Sequence, residues 1–450
     1  MLHGILCHYE VCFFIQMMKI CVFGLWHLGC VTAACVAERF PTIGLDPNPK
    51  IVTDLAAGKP PILEPGLEEL IRGGQSHGRL RFTNDPREAL SEANIVWVAF
   101  DTPVDEDDRA DVGFVEANIA SLFVHLRPGT IVLISSQLPV GSTSRIEVAC
   151  REGCPDRDIR FAYSPENLRL GKALDVFRNP GRIVVGTRSP EDRELVKPLL
   201  EPFCTNLVWM SVESAEMAKH TLNAFLANSI SFTNEIAALC EKVGADARDV
   251  EKALRTDERI GPRAYVRAGG AFAGGTLARD VAFLTERADE LDMRVPLLES
   301  IKSSNDLHKN WQRRKLETVC GTLAGKTITV LGLTYKPGTN TLRRSAAVEL
   351  CGWLAERDVK VNVFDPTVSR MPEDVGQRVT LCDSAVAALE GSDAVAVMTE
   401  WPQFRDLTAQ DFIENMKTPV IVDANRFLEK SLQIAPPLRY IAVGMPLEGR

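Results

Sequence analysis

Residues 19–48, KICVFGLWHLGCVTAACVAERFPTIGLDPN, decide the fold. An apolar run (KICVFG) leads into a glycine-containing turn, a stretch with helical periodicity, a second apolar run (PTIGLD) and an acid. Short apolar runs bounded by turn residues read as buried strands, and strand, turn, helix, strand is the opening unit of a doubly wound sheet. Gly24 and Gly29 take the first and third places of a G-x-G-x-x-G turn. Asp46 closes the second strand, 22 residues after Gly24, where a ribose-binding carboxylate belongs. Such a carboxylate accepts from ribose hydroxyls and repels a 2′-phosphate, so the cofactor predicted is NAD rather than NADP. The second glycine place holds Trp26. Its side chain must point away from the turn, or the dinucleotide must sit differently.

Further runs extend the pattern: ANIVWVAF (93–100), GTIVLISS (129–136), IRFAYS (159–164) and GRIVVG (181–186). Residues 18–210 therefore predict an NAD-binding, Rossmann-type, doubly wound parallel sheet. From 211 the character changes. Residues 211–244 form one long helix-compatible run, with Ser211 as N-cap and Gly244 at its end. More helical segments follow, so 211–315 predicts a central all-helical domain. Strand–helix alternation returns over 316–450, with GKTITVLGLTYK, DVKVNVFDP, DAVAVMT and TPVIVDA as strands. The fold class expected is α/β, with a helical middle and a smaller C-terminal α/β domain. Clefts in such sheets are where ligands bind.

Composition narrows the partners. The 450 residues carry a net charge of -9, with acid and base interspersed. That argues against a nucleic-acid partner, which needs a basic face, but not against a nucleotide, which needs a few local cations. Twelve cysteines are scattered, without a CxxC pair. They read as reduced thiols rather than a disulfide frame or a metal site, and Cys21, Cys30 and Cys35 as small buried hydrophobes. Residues 1–17 lack both a basic n-region and a membrane-length apolar run. They read as a leader outside the native protein, with the natural start at Met17 or Met18, and the protein as cytoplasmic and not membrane-bound.

Beyond these features, several collinear segments together resemble the UDP-glucose/GDP-mannose dehydrogenase family. They are PPILEPGLEELI (60–71), DTPV (101–104), SSQLPVGST (135–143), SPENLRLGKALDVFRNPGRIVVG (164–186), EMAKHTLNAFLANSISFTNEIAALCEKVGAD (216–246), DERIG (257–261) and GLTYKPGTNTLRRS (332–345). The resemblance implies oxidation of a nucleotide sugar by NAD, as in polysaccharide biosynthesis, with a UDP-sugar favoured as substrate. It assigns Lys219, Asn223, Asp280 and Glu166 to catalysis. Lys219 and Asn223, four apart, share one helix face. Alcohol oxidation needs a base for the hydroxyl proton and a group that steadies the alkoxide. Thr102 and Gln137 join Gly24, Gly29 and Asp46 at the cofactor. Leu168, Arg169, Arg259, Lys336 and Arg343 fall at substrate-binding places. The long helix implies a homodimer.

Three departures stand out. The family's loop G-G-x-C-x-P-K-D reads GGAFAGGTLARD (269–280) here: counting back from Asp280 puts Thr276 at the cysteine place, aligning Gly274 and Gly275 instead deletes that place, and either register leaves no cysteine. The family uses that thiolate to carry an aldehyde on to an acid, and an unactivated hydroxyl is a far weaker nucleophile. The second acid of the family's S-P-E-F-L-R-E is Leu170, and its S-T-V-P-V-G threonine is Gln137. Groups for the first oxidation are kept and groups for the second are lost. A two-electron oxidation to an aldehyde or ketone is expected. The alternatives are full oxidation to a uronate by a substitute route, or a catalytically silent nucleotide-sugar-binding protein.

Overall fold

The computed structural model describes residues 18–103, 105, 109–166, 168–273, 275–342, 345–372, 375 and 378–446. The expected leader and Arg343 lie outside the described residues. The chain forms two compact units that part between Thr221 and Leu222.

The first unit holds eight strands: β1 (Ile20–Phe23), β2 (Thr42–Leu45), β3 (Leu80–Thr83), β4 (Ile95–Val98), β5 (Ile131–Ile134), β6 (Arg160–Tyr163), β7 (Ile183–Thr187) and β8 (Leu207–Met210). Their order is β3-β2-β1-β4-β5-β6-β7-β8. Inner strands are apolar on both faces because both faces are covered. Ile20 and Val22 of β1 join one core, Cys21 and Phe23 the other. Cys21, Cys30 and Cys35 are buried, as their apolar setting suggests.

Two details depart from the reading of the sequence. Strands β3 and β8 are additional; both are edges, and β3 carries an exposed Arg81 that masks its strand pattern. Secondly, β6 pairs with β7 antiparallel, while the other pairs of this sheet are parallel. Among its described residues the link between them, 164–182, carries only the six-residue helix Ala173–Arg178. An antiparallel return needs no covering crossover, and this freedom turns the link into a loop at the sheet's end.

The long helix spans Val212–Val243. Ser211 Oγ accepts from Ser214 N at 3.2 Å, and Gly244 adopts φ 79° just beyond the helix, matching the expected start and stop. The second unit takes the rest of this helix and, ahead of its sheet, the helices Ala247–Thr256, Thr276–Glu290, Pro296–Lys309 and Trp311–Cys320. Its sheet comprises β9 (Thr327–Leu331), β10 (Lys360–Phe364), β11 (Val379–Leu381), β12 (Ala394–Val397), β13 (Val420–Asp423) and β14 (Arg439–Ile441). The order is β11-β10-β9-β12-β13-β14, wholly parallel. The three-residue edges β11 and β14 are again the strands absent from the sequence reading.

The second sheet repeats the first unit's winding. Gly24 N donates to Leu45 O at 2.9 Å, and Gly332 N to Phe364 O at 2.8 Å. In each case the glycine follows the first strand and the acceptor ends the second. Strand order reverses beside that first strand, and crevices form there.

Candidate active site

At the first crevice the turn is closed by steric need. Gly24 has φ 90°, and a Cβ there would come within 2.7 Å of the Phe100 ring. A Cβ on Gly29 would come within 1.6 Å of Gly24 O, so the helix His27–Val36 packs directly on the turn. Trp26 sits at the N-cap of that helix and is 47% exposed. Its side chain is thus not packed into the core beneath the turn.

Asp46 is buried, with Oδ2 accepting from Leu25 N at 2.7 Å and Oδ1 from Asn48 N at 2.8 Å. Burial holds its carboxyl above the usual range, against the pull of those two N–H groups. Its counterpart in the second sheet, Asp365, differs in a way that decides which turn suits a ribose. Asp365 Oδ2 accepts from Leu333 N, Thr334 N, Thr334 Oγ1 and Trp401 Nε1, and Oδ1 from Thr367 N and Oγ1. A carboxylate offers about four lone-pair sites. Protein donors saturate Asp365, whereas two backbone groups leave Asp46 with capacity for ribose hydroxyls. The first turn, with Gly24, Gly29 and Asp46, thus keeps acceptor capacity that the second has used up. The predicted Thr102 and Gln137 also meet, Thr102 Oγ1 donating to Gln137 O at 2.7 Å.

Lys219 lies on the long helix, only 6% exposed at its side chain. Its Nζ donates to Glu166 O and stands 3.6 Å from Glu166 Oε1. Glu166 Oε2 accepts from Leu168 N at 2.6 Å, which brings the predicted Leu168 into the same loop; Arg169 is exposed. That loop has an anchor which sequence reasoning missed. Glu64 is buried and accepts from Gly171 N at 2.8 Å and Ala173 N at 2.9 Å. His27 Nε2 lies 3.1 Å from the same carboxylate. The quoted segment PPILEPGLEELI contains Glu64, but only tertiary contact reveals its task. Glu64→Gln is expected to leave one of those two backbone N–H groups without an acceptor, costing about 1–3 kcal/mol of stability. Thermal unfolding measures this, and an unchanged midpoint would show that the loop holds itself.

Glu216 is a second missed group. It is fully buried and accepts from Gly141 N, Thr143 N and Thr143 Oγ1 at 2.6, 2.9 and 2.6 Å. It thereby fixes the long helix to the segment that carries Gln137. His220, one residue past Lys219, is buried with Nε2 2.9 Å from Leu138 O, a packing role.

In the second unit, Asn223 Nδ2 donates to the Asp280 carboxylate, and both residues are buried. Thr276 opens the helix Thr276–Glu290 four residues before Asp280 and is exposed. The glycine-rich loop ahead of it is held by side chains. Gly269 N donates to Asn234 Oδ1 at 3.0 Å, Gly270 N to Asn425 Oδ1 at 2.7 Å and Phe272 N to Asn305 Oδ1 at 3.0 Å. His308 Nε2 lies 2.7 Å from Gly269 O. Arg259 is not drawn into this cluster: it forks onto Asp257 at 3.0 and 2.7 Å and is 89% exposed. Lys336 is half-buried. A cavity of about 960 Å³ elsewhere in this unit is lined by Arg248, Lys252, Arg255, Arg267, Arg405 and Arg426, among others, and by none of the predicted residues. Among the described residues no cluster suits a metal ion, and no helix is long and apolar enough to cross a membrane.

Residues 18–204 match the NAD binding domain of the UDP-glucose/GDP-mannose dehydrogenase family, 213–307 its central domain and 329–430 its UDP binding domain. The chain belongs to this family. By that membership the dehydrogenase is an NAD-dependent oxidoreductase acting on nucleotide sugars. It is 35% identical over 447 residues to a UDP-glucose 6-dehydrogenase of Pseudomonas aeruginosa, covering 96% of this chain and 98% of that one. It is 32% identical over 434 residues to the UDP-glucose 6-dehydrogenase TuaD of Bacillus subtilis, covering 96% and 94%. Among solved structures, a UDP-glucose dehydrogenase from Pyrobaculum islandicum superposes with a TM-score of 0.84 at 30% identity, covering 96% and 98%. The turn, Asp46 and Glu166 of the dehydrogenase fall within its NAD-domain match. Lys219, Asn223, Thr276 and Asp280 fall within the central match.

Proposed function

We propose that the dehydrogenase oxidises a UDP-sugar by two electrons, to an aldehyde or a ring ketone, and stops there. The observation that carries this reading is the contrast around Asp280. Asn223 and Asp280 are buried and hydrogen-bonded, while the place of the family's thiol is an exposed Thr276. The cysteines nearest in sequence, Cys240 and Cys320, offer no substitute, since burial pushes both thiols up and so disfavours the thiolate. The UDP binding domain match favours uridine over guanosine.

The proposed chemistry assigns the ammonium of Lys219 and the amide of Asn223, one helical turn apart, to the substrate oxygen, whose developing charge both stabilise. The Asp280 carboxylate, which receives the Asn223 amide, takes the hydroxyl proton directly or through water. Glu166 holds Lys219 in place. NAD, when bound on the first turn, accepts the two electrons of the oxidation.

A second reading, full oxidation to a uronate, is supported by the names of the relatives, UDP-glucose 6-dehydrogenases aligned over nearly the whole chain. The yield of NADH per sugar nucleotide, with products read by mass spectrometry under an aldehyde trap, separates the two. UDP-glucose, UDP-N-acetylglucosamine and GDP-mannose form the opening panel. One NADH and a trapped carbonyl are expected. Two NADH and an acid would establish the uronate reading instead.

A homodimer completes the proposal. Phe225, Phe232 and Leu239 recur every seventh residue along the long helix, flanked by Leu222 and Val243, and all five are exposed. A stripe of that spacing suits a second copy of the same helix.

A further inference from the structure

The pyrophosphate of a dinucleotide is held at the N-terminus of the helix that follows the glycine turn, by backbone N–H groups and the helix dipole. In this chain a protein carboxylate already stands there. Asp101 Oδ2 accepts from Leu28 N at 3.1 Å, in the first turn of the helix His27–Val36. Its position is set from both sides. Phe100 lies under Gly24, and the next residue, Thr102, is tied to Gln137 O. Ala99 N donates to Phe23 O at 2.8 Å, which holds the segment to the end of β1. The neighbouring acid, Asp46, is engaged with Leu25 N and Asn48 N and cannot take its place. His27, which opens the same helix, has Nε2 3.1 Å from Glu64 Oε2.

We propose that Asp101 is a resident anion in the pyrophosphate seat and sets the strength of cofactor binding. This inference rests on the assignment of NAD to the first turn. A dinucleotide entering the turn must turn the Asp101 side chain away from Leu28 N and then sit beside a like charge. Both effects weaken binding of any ligand that carries a diphosphate on this helix end, and neither touches a ligand that lacks one. Asp101 is exposed, so its side chain has room to move aside. The residue thus tunes cofactor affinity without contacting the reacting atoms.

The test is titration calorimetry of the full chain with NAD, ADP-ribose and adenosine, on the native protein, Asp101→Asn and Asp101→Ala. The asparagine keeps the shape and an acceptor for Leu28 N but removes the charge; the alanine removes both. Exposed Trp26 at the same helix end gives an independent fluorescence readout. Tighter binding of NAD and ADP-ribose by about tenfold or more in both variants, with adenosine unchanged, is the expected result. Native protein that binds NAD, with variants that bind it no tighter, would overturn the role of Asp101 and leave the cofactor assignment intact. Equal tightening for adenosine would also overturn it, by showing that the diphosphate is not what Asp101 opposes. Failure of all three proteins to bind either NAD or ADP-ribose would remove the cofactor assignment and this inference with it.

Discussion

Lys219→Ala is expected to slow sugar-nucleotide oxidation by about a thousandfold or more, a size typical of removing a positioned proton-transfer or charge-stabilising group. The ammonium is buried between the Glu166 carbonyl and carboxylate, so it is held in one place before any substrate arrives. Truncation removes the cation that would meet the developing alkoxide. It also leaves Glu166 without its partner, but that carboxylate keeps the Leu168 N–H and is 23% exposed, so the cost to stability is small. Three readings together make the result diagnostic. The turnover number should collapse, the thermal midpoint should shift little, and NAD affinity should stay near the native value, because the glycine turn is built from other residues. A variant that unfolds, or loses NAD binding as well as turnover, would mark Lys219 as structural. A variant that keeps turnover would remove it from the proposed chemistry.

Phe225→Glu combined with Phe232→Glu is expected to convert the protein to a monomer at micromolar concentration, as read by sedimentation velocity. Phe225 is 64% exposed and Phe232 52%, values uncommon for aromatic side chains with nothing to cover them. Seven residues are two helical turns, so both lie on one stripe with Leu239. Carboxylates at those two places would have to be buried against their own copies, where like charge and desolvation both oppose association. Because the two rings face outward, the change should leave the single-chain fold in place, which circular dichroism checks. Persistence of the native oligomer would assign the stripe another role.

How much of this was legible in the sequence depends on the distance over which each feature is determined. The unit from β1 to Asp46 is local. Buried parallel strands are apolar on both faces, a tight turn at φ 90° favours glycine, and a carboxylate at the end of β2 falls at a fixed interval from that glycine. Each leaves a mark within 30 residues. The long helix is likewise written in its cap, its period and its terminal glycine. Edge strands β3, β8, β11 and β14 were not legible, since a strand with one neighbour needs little apolar patterning, and two of the four have three residues. The antiparallel turn of β7 was also hidden, because a strand reads the same in either direction.

The site divides along the same line. Residue types at Lys219, Asn223, Asp280 and Asp46 announce the chemistry. The contacts that give them work to do join residues far apart in the chain: Asn223 to Asp280 across 57 positions, Glu64 to Gly171 across 107 and Asn425 to Gly270 across 155. Asp46 and Asp365 follow the same short pattern, an acid before a proline at the end of a second strand. Only the number of protein donors gathered around each tells the two apart. Asp101 is the sharpest case. In sequence it is one acid beside a threonine and a proline. In the fold it takes the Leu28 N–H, 73 residues earlier, in the first turn of a helix. Sequence determined which elements form and which chemical groups they carry, because strand, turn and helix preferences act over a few residues. Tertiary structure alone decided which of those groups are already engaged, because that is settled by partners brought together only when the chain has closed on itself.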